Sequence, residues 1–182
     1  MKKSLAIAVL ATTGMVSISA HADNTITFNG EVVANTCTIS GNGGAADFTV
    51  SLPNVSASTL QAANSASGNT AINLALTNCT PDTGNVRAFF TSTPTIAPNG
   101  ALNIVPNGGT GVPDATNVQL RLTNSDLTVI DASKDAASQG ANPVSLVAGA
   151  AILQYGVEYY SQAGSATAGK ANSYVNYTLD FQ

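Results

Sequence analysis

Charge is what this chain has least of. Only 9% of its 182 residues are Asp, Glu, Lys or Arg, against roughly 25% in an ordinary soluble protein. Thr, Ser, Asn, Gly and Ala fill the deficit, so the outer surface is mostly uncharged. Such a surface is either a solvated polar skin or one held against neighbouring protein copies. The formal net charge of −4 argues against nucleic acid and anionic lipid as partners. Histidine is nearly missing as well. The single one, His21, lies in a segment expected to be removed, which leaves no imidazole for base or metal work. Beyond that segment the fixed cations are Arg87, Arg121, Lys134 and Lys170, and no motif places any of them beside a serine nucleophile. Asp131 and Asp135 are a conceivable carboxylate pair, but their polar surroundings read more simply as a solvated turn. The expectation is no enzyme, no cofactor and no metal.

Long hydrophobic runs are also scarce. One extends from Leu5 to Ile18, with Lys2 and Lys3 before it and Ala20-His21-Ala22 after it. That is the pattern of a secretory signal peptide. It is short of the roughly 20 residues a membrane span needs and is interrupted by Thr12, Thr13 and Ser17. Cleavage after Ala22 gives residues 1–22 as signal peptide and Asp23 as the first mature residue. The exported remainder is long enough for one domain with a sizeable core. Only two cysteines occur, Cys37 and Cys79. In an exported chain a disulfide is the default, and metal ligation or redox chemistry would require more Cys or His nearby.

Helical periodicity is the next absence. Apolar residues instead alternate in short runs: Phe48, Val50 and Leu52 before Pro53; Ile72, Leu74 and Leu76 before Cys79; Val118, Leu120 and Leu122 between two asparagines. Each run has the length of one strand. Gly41-Asn42-Gly43-Gly44, Pro98-Asn99-Gly100 and Pro106-Asn107-Gly108-Gly109 supply the turns between them. Residues 57–66, rich in Ala, Ser and Gln, form the one candidate short helix. Residues 97–116 read as a long loop with a short strand around Ile104 and Val105. Near the C-terminus, Leu153, Tyr155, Val157 and Tyr159 alternate, then Val175, Tyr177, Leu179 and Phe181. The two runs predict a terminal hairpin buried on one face. Many short strands without βα alternation predict an antiparallel sandwich of immunoglobulin type.

The start of the exported chain alternates too. In Asn24 to Ala34, Ile26, Phe28, Gly30, Val32 and Ala34 share one face while Thr25, Thr27, Asn29 and Glu31 share the other. A dry face at a free end is either the first edge strand of its own sandwich or an arm that fills a groove elsewhere.

Taken in order, these parts resemble a subunit of the chaperone-usher fimbriae, in particular the type 1 pilin family. The resemblance rests on the signal peptide, the arm ending Phe28-Asn29-Gly30-Glu31-Val32-Val33, and Cys37 followed by Leu76-Thr77-Asn78-Cys79. It continues through Tyr155-Gly156-Val157-Glu158-Tyr159-Tyr160 and Ala166-Thr167-Ala168-Gly169-Lys170-Ala171-Asn172 to the alternating tail. In that family the tail carries a glycine fourteenth from the end and a penultimate aromatic, the places of Gly169 and Phe181 here. Phe181 stands where tyrosine is usual, and the short arm before Phe28 is more like that of adaptor subunits. The resemblance implies an all-β, incomplete immunoglobulin-like Greek-key sandwich, residues 36–182, completed by a donor strand from a neighbouring subunit or a chaperone. Residues 23–35 would be the donor extension, with Ile26, Phe28, Gly30 and Val32 as its contacts. Gly169, Val175, Tyr177, Leu179 and Phe181 would form the C-terminal groove and chaperone motif. Implied partners are other copies of the chain and sibling pilins, a periplasmic chaperone, an outer-membrane usher and, through the assembled fimbria, a host receptor. The implied role is a structural subunit of a surface fimbria, with a minor or adaptor pilin or a carbohydrate-binding fimbrial adhesin as the alternative.

Overall fold

The computed structural model describes residues 36–91, 93–106 and 111–182. The expected donor extension, with Ile26, Phe28, Gly30 and Val32, lies outside the described residues, as does the expected signal peptide.

Period-two alternation governs nearly every element. Nine strands are present among the described residues: β1 (Thr36–Gly41), β2 (Ser65–Thr80), β3 (Asn85–Thr91), β4 (Leu102–Asn103), β5 (Gln119–Asn124), β6 (Val129–Ile130), β7 (Val144–Ser145), β8 (Ala151–Ser161) and β9 (Asn176–Phe181). One sheet runs in the order β1-β2-β8-β5-β4, with β6 also on β5; the other runs β7-β3-β9. All strand pairs are antiparallel. Ile72, Leu74 and Leu76 of β2, Leu120 and Leu122 of β5 and Leu153, Tyr155 and Val157 of β8 turn inward. They meet Val86, Ala88 and Phe90 of β3 in one core. The Tyr155 and Phe90 rings meet edge to face with centroids 5.6 Å apart, the arrangement the ring quadrupoles favour. Cys37 and Cys79 form a disulfide, S–S 2.02 Å, that fastens β1 to the end of β2.

Three local expectations are corrected. Residues 57–66 are not a helix: a single 3-10 turn, Ala57–Leu60, is capped by the Ser56 side chain, and β2 begins at Ser65. Leu60 is the only buried side chain of that turn, so no apolar face exists to hold a longer helix. The short strand in the long loop is Leu102–Asn103 rather than Ile104 and Val105, because Leu102 is the residue that turns into the core. The C-terminal hairpin does not form: β8 lies between β2 and β5 in the larger sheet, whereas β9 pairs with β3 in the smaller. The intervening segment crosses from one sheet to the other, so both runs bury one face, but against each other's sheet rather than side by side.

The far edge of β3 is closed in an unusual way. β7 covers only Asn85 and Val86. Beyond it, the Ala88 N–H donates to Tyr155 Oη at 2.9 Å, across the core. The Phe90 N–H donates to Gln139 Oε1 at 3.1 Å, and Gln139 Nε2 donates back to the Phe90 carbonyl at 2.6 Å. The carboxamide thus mimics one residue of a neighbouring strand. Gln139 is 1% exposed and also donates to the Lys134 carbonyl, pinning residues 131–139 over this edge. The Asp131 and Asp135 carboxylates accept within the same segment from Ser133 and Ser138, as solvated turns do.

Two stability effects follow. Opening the disulfide frees a loop with a sequence separation of 42, so reduction is expected to cost about 4 kcal/mol, measured as the shift in urea midpoint with and without reductant. Gln139→Leu leaves the Phe90 amide and carbonyl buried without partners and is expected to cost about 2–4 kcal/mol, measured by the same midpoint.

Candidate functional site: an open groove beside β9

β9 is the last strand of its sheet. One edge pairs with β3 from Val86↔Phe181 to Thr91↔Asn176. The other edge meets no strand among the described residues. Facing it is the stretch around Phe48, Val50 and Leu52, whose side chains pack on the core as their alternation predicts. Its backbone is not in a strand, which corrects the sequence expectation. Among the described residues no strand lies next to it to provide a ladder, so burial of one face sets its course instead. Phe48 is held in place because its ring lies on the bare face of Gly41, where a Cβ would collide with it.

Between these two walls runs a groove of about 1150 Å³. Phe48, Val50 and Leu52 line one side; Val175, Tyr177, Leu179 and Phe181 line the other. Ile39, Leu74, Phe90 and Leu122 are among the residues of its floor. β9 places Tyr177, Leu179 and Phe181 inward by strict alternation, while Asp180 faces outward and pairs with Arg87 at 2.8 Å. That ion pair joins cross-strand neighbours, Arg87↔Asp180, and fixes the register of the wall. The apolar floor and two free backbone edges make the groove complementary to one more extended strand with alternating apolar side chains.

Of the five residues expected in the C-terminal motif, four are brought together here. Gly169 is not among them. It lies against Pro113, Asp114 and Ala115, whose backbone a Cβ would strike, and Lys170 N–H donates to the Pro113 carbonyl at 2.8 Å. Its bareness serves the packing of the crossover segment. Cys37 lines the end of the groove. The opposite wall, Phe48 to Leu52, is the part of the site that sequence reasoning placed in an ordinary strand; alternation located it, but nothing in its residues showed that its partner would be missing.

One polar contact crosses the groove: Tyr177 Oη donates to the Ala46 carbonyl at 2.7 Å. Burial raises the Tyr177 phenol above the usual 10.0, and the nearby Asp47 charge adds to the shift. Burial likewise raises Tyr155, against the lowering effect of the Ala88 amide and of Arg87, and Tyr159. Each phenol therefore holds its proton more tightly folded than unfolded. Above pH 10 the unfolded chain binds fewer protons, so stability must fall as pH rises. The urea midpoint is expected to stay level with respect to these groups up to about pH 9 and to fall steadily above pH 10, with a shallower fall in Tyr155→Phe.

Among the described residues, the fold and the groove define an immunoglobulin-like sandwich that is one strand short. The family model described as FimA, type-1 fimbrial protein A, matches residues 52–182. The chain is 39% identical over 162 residues to the major fimbrial subunit SMF-1 of Stenotrophomonas maltophilia, covering 87% of this chain and 92% of that protein. It is 36% identical over 167 residues to the F17 fimbrial protein of Escherichia coli, covering 88% of each. The crystal structure of the P pilus rod subunit PapA superposes with a TM-score of 0.56 at 22% identity, covering 80% of this chain and 99% of that one. That last likeness concerns the fold alone. The chain belongs to the type-1 fimbrial protein family. It is a structural pilin, exported to the cell surface, where it assembles with other pilin subunits in a fimbria.

Proposed function

We propose that this chain is a shaft subunit that polymerises head to tail by strand exchange: residues 24–34 of one copy fill the groove beside β9 of the next. The observation that carries this reading is the groove itself, an apolar trough bounded by two free backbone edges. β9 spans 6 residues, or about 20 Å, and the run from Ile26 to Val32 matches it in length and period. Ile26, Phe28 and Val32 would each gain roughly 1.5–3 kcal/mol on burial, while the backbone pairs with both walls. Gly30 passes where the groove is shallow. A head-to-tail contact of this kind does not close on itself and so grows into a filament. Before assembly a periplasmic chaperone would occupy the same groove, and an outer-membrane usher would host the exchange. The likeness to a protein described as a major subunit, along nearly its whole length, favours the shaft over an adaptor. Adhesion to a receptor would be a property of the assembled fimbria, and the reading includes no catalysis.

Deleting residues 23–34 is expected to abolish polymer growth while leaving a chain that still accepts an arm from another copy; surface filaments of normal length, seen by electron microscopy, would refute the assignment. Joining a second copy of residues 24–34 to the C-terminus through a short linker is expected to give a monomer that melts well above the parent chain, checked by calorimetry. An unchanged melting temperature would count against the open groove.

A further inference from the structure

The contact across the groove has a geometric property that bears on how a strand could enter. A tyrosine reaches about 6.5 Å from Cα to its hydroxyl oxygen by standard covalent geometry. The hydrogen bond from Tyr177 to the Ala46 carbonyl adds 2.7 Å. Together they bridge at most about 9 Å, no more than two inter-strand spacings of about 4.8 Å each. Walls up to two spacings apart can admit one strand that bonds to both.

We propose that Tyr177 is a positioning residue for strand capture: its side chain reaches from the β9 wall toward Ala46, and its hydroxyl holds the Ala46 end of the far wall at one-strand width. The inference rests on the reading that the groove takes a strand. Three observations converge on it. The wall residues Ala46 to Leu52 are in no strand, and no backbone–backbone hydrogen bond ties them to the rest of the described chain. Among the described residues their anchorage comes from the half-buried Phe48, Val50 and Leu52 side chains and from this polar contact. Tyr177 projects from β9, which the β3 ladder and the Arg87–Asp180 pair hold firmly. The strut thus ties the less anchored wall to the better anchored one. Both partners of the bond belong to one subunit, so a strand that enters without displacing the ring leaves the bond in place. Its contribution is to keep the empty groove in the receptive form. When only a fraction of free molecules is receptive, apparent affinity falls by that fraction.

The test uses the secreted chain, residues 23–182, at nanomolar concentration with an excess of fluorescein-labelled peptide of residues 24–34. Association is followed by polarisation, and amide exchange of residues 46–52 is followed in the free protein. Tyr177→Phe keeps the ring and removes the hydroxyl. It is expected to slow association by about 10-fold and to speed amide exchange along the wall, while release of bound peptide changes by less than about 2-fold. Tyr160→Phe, which removes a hydroxyl bonded to Asn64 away from the groove, is expected to change neither. Association at the wild-type rate in Tyr177→Phe would overturn the proposal. Faster association would overturn it too, by showing that the contact obstructs the groove. If the wild-type chain captures no peptide, the strand-exchange reading itself fails, and Tyr177 has nothing to position.

Discussion

Two backbone edges face each other across a strip of apolar side chains, and the described part of the chain has nothing to place between them. A hydrogen-bonded ladder is satisfied only by another strand, and an apolar floor is dry only when covered. Those two demands coincide beside β9. Elsewhere the sandwich is better closed: β2, β8 and β5 are interior strands, and the core beneath them is sealed by Leu74, Leu122, Leu153 and Val86, each at most 1% exposed. Among the described residues the unfilled strand position is therefore a property of the whole sandwich. Under the strand-exchange proposal, a strand supplied by the chain to itself would give a stable monomer with no head-to-tail link.

Much of the fold was legible because alternation is a local signal. Ile72, Leu74 and Leu76, then Leu120 and Leu122, then Tyr177, Leu179 and Phe181, all face the core as their spacing demands. Which strand lies beside which is not local, and there the sequence misled. β8 and β9 follow one another with a turn-rich segment between, the arrangement of a hairpin, yet they belong to different sheets. The bend at Gly169 is set by its fit against residues 113–115, a contact between segments far apart in sequence. Phe48, Val50 and Leu52 show the same limit from the other direction. Their period is that of a strand, but a strand is defined by its partner, and period says nothing about partners.

The polar devices were the least legible. Gln139 sits in a stretch of small polar residues that reads as solvated loop, and it is almost wholly buried because one carboxamide can offer both a donor and an acceptor to an exposed strand edge. Tyr155 and Tyr177 announce themselves as core aromatics; that their hydroxyls reach Ala88 and Ala46 depends on distances no pattern encodes. The scarcity of charge has a counterpart in the fold. The two ion pairs among the described residues, Arg87–Asp180 and Arg121–Glu158, each join neighbouring strands within one sheet, so neither links the two sheets, and cohesion between them is little screened by salt.

The carboxamide of Gln139 and the hydroxyl of Tyr155 close the β3 side of the smaller sheet with side chains, which cannot be displaced by a passing strand without breaking the loop they hold. Under the strand-exchange proposal that sheet is left with a valence of one. Units that each offer a single socket can be strung into a thread but cannot fork or cross-link into a mesh, however concentrated they become on the cell surface.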